Sequence, residues 1–219
     1  MSAPRRTPRD ERRRRLGQNF LRPEIADRIV AEADLRPGEL VIELGAGLGP
    51  ITIALAKRLV EVVAIEIDPV WAERLRNRTR EEFPDNVRVV EGDFLSLSLP
   101  SRPFRVIGSL PFGHTTGVLR RLLENPYVAL ERADLIVQWE VARKRAALPP
   151  STLRSTTWLP WWEFHLGRHV PAVAFRPVPH VDSGVLIIKR RQPALLPPAM
   201  ARLYSEFVRT HWPFDRSVP

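Results

Sequence analysis

Cysteine is absent from the 219 residues, so no disulfide framework, thiolate nucleophile or Cys-based zinc site is available to the chain. Long apolar runs are missing as well. No window approaches the roughly 18 to 20 uninterrupted apolar residues that a membrane-crossing helix needs, and the arginine-dense N-terminus is not followed by the apolar stretch of a secretory signal. A cytoplasmic protein without membrane attachment is the expectation. The five histidines are not closely paired, so no metal site is expected. Lysine is scarce too: only Lys57, Lys144 and Lys189 occur, and arginine carries most of the positive charge. A G+C-rich genome produces that skew as readily as phosphate recognition does.

What is present has globular proportions. With 44% hydrophobic and 27% charged residues, the chain can bury one sizeable core, or a core with a small appendage, and disorder throughout is excluded. Lys plus Arg number 34 against 25 Asp plus Glu, a net charge of +9. More than half of that excess sits in residues 1–15, where Arg5, Arg6, Arg9, Arg12, Arg13, Arg14 and Arg15 face only Asp10 and Glu11. Such an arm cannot bury apolar surface and is expected to stay flexible while neutralising phosphates of a nucleic acid. The plainer reading is a solvated charge run that aids solubility.

Beyond the arm, Ile25, Ile29, Val30 and Ala33 recur near helical spacing before Pro37-Gly38 stops the pattern. Leu40 to Leu44 reads as a buried strand, followed by a glycine turn at 45–49, a helix over 51–59 and a second apolar strand at 62–65. Asp68 fits a helix N-cap with Pro69 at the first helical position. Further strands are expected at 87–90, 104–107, 135–137 and 183–188, with helices at 115–124 and 139–147. Apolar strands alternating with helices imply a mostly parallel sheet covered on both faces. Three prolines within 191–198 mark a linker, and 199–211 forms one short helix with no partner helices left in the sequence. The domain expectation is an arm at 1–15, a catalytic domain at 16–192, and a linker with a partial helical segment at 193–219.

The chemistry concentrates at strand ends. Gly45, Gly47 and Gly49 give G-x-G-x-G after Glu43, where missing side chains let a ligand approach the backbone. A nicotinamide-type fingerprint needs G-x-G-x-x-G instead. Glu66 ends the second strand and is placed to accept hydrogen bonds from ribose hydroxyls. Asp93, in Glu91-Gly92-Asp93-Phe94, can accept from an adenine amine, although a turn-forming aspartate is the commoner use of the residue. In Gly108-Ser109-Leu110-Pro111-Phe112-Gly113, proline fixes the backbone, the Ser109 hydroxyl and Leu110 carbonyl are acceptors for an exocyclic amine, and Phe112 offers a face for a base. Such a base must leave its helix or come from an unpaired strand.

These motifs resemble the ribosomal RNA adenine N6-dimethyltransferases and, within them, the macrolide–lincosamide–streptogramin resistance enzymes called Erm. The resemblance covers about residues 16–192 through Gly17-Gln18-Asn19-Phe20-Leu21, Glu43-Leu44-Gly45-Ala46-Gly47, Glu66-Ile67-Asp68, Gly92-Asp93, Ser109-Leu110-Pro111-Phe112 and Pro177-Val178-Pro179-His180-Val181-Asp182-Ser183. It implies an α/β class I methyltransferase fold with a Rossmann-like, seven-stranded sheet whose last strand runs antiparallel. It also implies S-adenosylmethionine as cofactor and 23S ribosomal RNA, free or in precursor particles, as partner of a monomeric protein. Asn19 and Leu21 would border the cofactor's methionine end, Gly45 its backbone site, Glu66 its ribose and Asp93 its adenine. Glu43, Gly47, Phe94 and Ser109 complete the cofactor set. Ser109, Leu110, Pro111 and Phe112 would form the methyl-transfer loop, and Phe175 would cover the other face of the adenine unless it is simply a core phenylalanine.

The expected RNA contacts are Arg12, Arg13, Arg14, Arg15, Arg143, Lys144 and Phe175, with a solvated helix face as the plainer reading of Arg143 and Lys144. Two departures stand out: Ser109 occupies a position where the family usually has asparagine, and the C-terminal helical domain stops after what resembles its first helix. His180 and Asp182 are expected to be structural, and Trp158, Trp161 and Trp162 to fill the core. The housekeeping small-subunit dimethyltransferases and a non-catalytic nucleic-acid-binding relative are the alternatives.

Overall fold

The computed structural model describes residues 19–212, Pro84 excepted. The arm with Arg12, Arg13, Arg14 and Arg15, together with Gly17 and Gln18, lies outside the described residues. The elements run β1 (Phe20–Leu21), α1 (Pro23–Glu32), β2 (Leu40–Leu44), α2 (Pro50–Ala56), β3 (Glu61–Glu66), α3 (Pro69–Glu82), β4 (Val87–Glu91) and β5 (Phe104–Ser109). They continue with α4 (Thr115–Leu123), β6 (Leu130–Gln138), α5 (Trp139–Arg145), α6 (Leu153–Trp158), β7 (Trp162–Val170), β8 (Phe175–Arg176), β9 (Ser183–Arg190) and α7 (Ala201–His211).

Seven strands form one sheet in the order β4-β3-β2-β5-β6-β9-β7. The first five are mutually parallel, and β9 pairs antiparallel with both β6 and β7. The last strand in sequence is therefore the reversed one, as the resemblance implied. Alternate side chains feed two cores. Leu40, Ile42 and Leu44 of β2 pack toward the α4 side with Phe104, Val106, Leu119 and Trp162, whereas Val41 joins Ile29, Leu55, Val62 and Leu75 under α1 to α3. A strand buried on both faces is apolar at nearly every position, which is why β2 reads as an apolar run broken only by the buried Glu43.

Local chemistry sets the boundaries. The Asp68 side chain accepts the Val70 N–H at 2.9 Å, and Pro69 opens α3 with no lost donor. Helix α2 stops at Ala56 rather than continuing to residue 59, because Leu59 turns to a φ of +57°. Strand β6 begins at Leu130, five residues before the apolar run at 135–137. Its charged residues are accommodated by an Arg132–Asp134 ion pair at 2.7 Å, with Asp134 buried. Strand β7 and helix α6 were not expected from the sequence. Thr152 caps α6 through the Ser155 N–H.

The three tryptophans of 158–162 are buried, with the Trp161 indole donating to Leu196 O at 2.9 Å and that of Trp162 to Leu123 O at 3.2 Å. Helix α7 does have a partner, contrary to expectation: Tyr204 meets Trp161 edge-on at 6.0 Å between centroids and its hydroxyl reaches Thr156 O. The C-terminal segment thus docks on α6. No helix among the described residues is long and apolar enough to cross a membrane.

Glycine is obligatory where β2 and β5 touch. A Cβ on Gly108 would stand 2.6 Å from the Leu44 carbonyl oxygen, a backbone atom that cannot move aside. Overpacking of this kind costs about 1–3 kcal/mol, so Gly108→Ala is expected to lower the melting temperature by about 5 °C in differential scanning calorimetry.

Candidate active site

The strand order reverses between β2 and β5, and open α/β sheets bind ligands beyond the carboxyl ends of the strands at such a switch point. An open cleft lies there, reached by Asn19, Leu21, Glu43, Gly45, Gly47, Glu66, Ser109 to Phe112 and Phe175. Segments almost 160 residues apart in sequence converge on it.

Its floor is the glycine turn. Gly45, Gly47 and Gly49 all have positive φ, at +70°, +55° and +81°, a backbone that L side chains rarely adopt. A Cβ on Gly45 would approach the Ser109 carbonyl oxygen to 3.1 Å, so the glycine turn and the loop after β5 are in direct contact. Glu66 holds the turn shut: one carboxylate oxygen accepts Gly47 N–H at 2.7 Å and the other Asp68 N–H at 2.8 Å. Each oxygen keeps a further lone pair for a ligand hydroxyl. Burial pushes the Glu66 carboxyl above its ordinary value, opposed by those two N–H donors.

Glu43 is buried behind the turn, and its carboxyl accepts the Thr52 hydroxyl at 2.5 Å. Burial drives its pKa up to about 8, the Thr52 hydrogen bond pulls the other way, and the neighbouring charge of Glu66 adds to the rise. Thr52 was missed from sequence. Its only signal is a hydroxyl nine positions after Glu43, in the first turn of the helix leaving the glycine turn.

Across the cleft, the loop after β5 presents two unused acceptors. The Leu110 N–H donates to Ile136 O at 3.0 Å and the Pro111 carbonyl accepts His114 N–H at 2.9 Å. Neither the Leu110 carbonyl nor the Ser109 hydroxyl meets a donor among the described residues. Phe112 beside them is half-buried, with a ring available to the cleft. Phe175 is 3% exposed and packs in the core under α1, and it is also among the residues that line the cleft.

Other expected site residues lie outside this convergence. Asp93 is exposed, and one of its oxygens accepts Leu95 N–H at 2.9 Å; the Gly92 N–H to Glu66 O bond nevertheless sets its turn beside Glu66. Phe94 packs in the α4-side core and does not reach the cleft. Arg143 pairs with Glu140 at 3.1 Å and Lys144 is exposed, both on the short helix that leaves β6. Asp182 accepts Ala172 N–H at 2.8 Å and faces His169 at 3.0 Å, a loop-fixing arrangement. Among the described residues no group of His, Asp and Glu is arranged to hold a metal ion.

The family of ribosomal RNA adenine dimethylases matches residues 9–213. The chain belongs to that family. An rRNA adenine N-6-methyltransferase of Corynebacterium diphtheriae is 38% identical over 194 residues, covering 89% of this chain and 75% of the relative. The mycinamicin-resistance protein MyrB of Micromonospora griseorubida is 42% identical, covering 93% of this chain and 64% of that protein. The crystal structure of the 23S rRNA methyltransferase ErmE superposes with a TM-score of 0.78 at 35% identity, over 87% of this chain and 78% of that one. Relatives named for small-subunit ribosomal RNA match at 34% identity. The chain spans between 53% and 75% of the length of the Erm-type relatives it matches. As a ribosomal RNA adenine dimethylase-family protein with this sheet, it has the methyltransferase architecture, and the glycine turn and the Ser109 loop both line the cleft at the sheet's switch point.

Proposed function

We propose that the chain transfers methyl groups to N6 of an adenine in 23S ribosomal RNA, with S-adenosylmethionine as donor and macrolide-type resistance as the outcome. The observation that carries this reading is the pair of unpartnered acceptors, Ser109 Oγ and Leu110 O, set beside Phe112 and across from the glycine turn. S-adenosylmethionine, when bound, supplies a methyl group on a positively charged sulfur. The residues present fit it: the turn at Gly45 and Gly47 admits close approach, Glu66 accepts from ribose hydroxyls, Asp93 is available to an adenine amine, and Asn19 and Leu21 border the opposite end.

The remaining work belongs to the protein. Phe112 and Phe175 hold an extruded base between them, and Ser109 Oγ and Leu110 O accept its two amine hydrogens. An amine held in this way turns its nitrogen lone pair out of the ring plane and toward the cofactor side. No side-chain nucleophile is needed, and positioning with fixed dipoles supplies the acceleration. The proton released after transfer passes to water. The arm at 1–15, with Arg143 and Lys144, serves as the phosphate-binding surface. The protein is read as a cytoplasmic monomer acting on free or precursor RNA.

Mass spectrometry of unmodified, separated ribosomal RNAs after incubation with cofactor tests this reading and counts methyl groups. Modification of an adenine in the large-subunit RNA is expected. Labelling confined to the small-subunit RNA overturns the substrate assignment. A product that stops at one methyl identifies the shorter reach of Ser109 as the limit on the second transfer.

A further inference from the structure

The cleft's two halves are tied by a piece of backbone that belongs to neither wall of the main sheet. Strands β1 and β8 form their own antiparallel pair, with Phe20 opposite Arg176 and Leu21 opposite Phe175. The Arg22 N–H extends the ladder to Ala174 O at 2.9 Å. Asn19, Phe20 and Leu21 therefore line the cofactor side of the cleft, while the residue paired with Leu21 is the aromatic wall of the base side.

Phe20 is also wedged against the glycine turn. A Cβ on Gly47 would lie 3.1 Å from the Phe20 ring. On its other side the ring meets Trp71 at 5.1 Å and 67°, and Trp71 carries the Arg74 guanidinium 5.0 Å from its centroid. Trp71 is buried in α3, so this backing is fixed in the domain. A ligand seated on the turn at Gly47 thus changes the packing of Phe20. The ladder then moves Phe175 with it, because separating the strands costs their backbone hydrogen bonds.

We propose that the β1–β8 ladder couples occupancy of the cofactor site to the seating of the target base, with Phe20 as the positioning residue and Phe175 as the wall it sets. This rests on the reading of the cleft given above. Its physical content is a differential interaction: the cofactor favours the position of β1 that leaves Phe175 facing Phe112, and the base favours the same position from the other end. The coupling must be reciprocal, so each ligand tightens the other by one common factor.

Equilibrium binding of a substrate RNA hairpin to the full chain, with and without saturating S-adenosylhomocysteine, reads that factor, and binding of S-adenosylhomocysteine with and without RNA reads it again. In the parent protein both are expected to show about a tenfold tightening, within the usual span of allosteric coupling. In Phe20→Leu the factor, read as the ratio of the affinities with and without the second ligand, falls toward one, whereas Phe20→Tyr, which keeps the ring, keeps the factor. Trp71→Leu removes the backing from behind Phe20 and gives the same loss, which covers the case in which Phe20→Leu does not fold. A parent without coupling, or a Phe20→Leu protein that retains it, overturns the inference while leaving the cleft assignment standing. Failure of S-adenosylhomocysteine to bind the parent overturns the assignment itself.

Discussion

Phe112→Ala is expected to slow methyl transfer by at least about a hundredfold while leaving cofactor affinity at the parental level, since a misplacement of about 1 Å costs that much where positioning is the main source of rate. Phe112 follows Ser109 Oγ and Leu110 O and lines the same cleft. On the proposed reading its ring stacks with the purine, and its side chain has no hydrogen bond to give the glycine turn. Removing the ring leaves Glu66 and the three glycines as they are. Single-turnover transfer of labelled methyl groups gives the rate, and calorimetric titration with S-adenosylhomocysteine gives the affinity. A variant that modifies RNA as fast as the parent removes the base-holding function from this loop. A variant that loses both properties together shows instead that the ring supports the cofactor side.

Glu43→Gln is expected to change how stability depends on pH. The folded carboxyl holds its proton up to a pKa of about 8, against an ordinary glutamate value of 4.5. Between those values the folded state binds more protons than the unfolded state, so raising the pH destabilises the protein across that window. The shift corresponds to a loss on the order of 4 kcal/mol once pH passes 8, and nothing is lost below 4.5. Glutamine keeps an oxygen for the Thr52 hydroxyl and carries no charge at any pH. The variant should melt with the parent at pH 5 and about 10 °C above it at pH 9. Melting curves measured at both pH values check this, and parallel curves for the two proteins would show that Glu43 ionises without penalty.

The sheet was legible in the sequence wherever a strand is buried on both faces. Val62 to Ile65 announces itself as wholly apolar, and Leu40 to Leu44 as apolar but for Glu43, because their neighbours leave little room for polar groups. Strand β6 was only partly visible, since Arg132 and Asp134 neutralise each other inside the fold and no linear pattern records that pairing. Strand β7 was hidden by its composition: Glu163, His165, Arg168 and His169 alternate with apolar residues on a strand paired along one side only, and a bulge between Leu166 and His169 breaks the period.

The site divides in the same way. Glycine spacing and the Ser109 loop are local signals and pointed to the cleft directly. That both turns touch, that Leu110 O and Ser109 Oγ are left without donors, and that Thr52 faces Glu43 are facts of assembly. Phe94 shows the converse, a residue adjacent in sequence to a candidate ligand whose side chain goes to the core. Asp93 keeps its side chain in a local turn, so neighbourhood in the chain and neighbourhood in space part company within two residues.

The position of β9 has a consequence for biogenesis. Among the described residues it is the strand latest in the chain, yet it sits between β6 and β7, and β7 pairs with no other described strand. Until residue 190 has emerged, the growing chain exposes the hydrogen-bonding edge of β6 and an unattached β7, the kind of unpaired edge that invites association with other chains. Completion of the sheet is thus a late, long-range step that depends on the final strand sliding into a gap between two earlier ones.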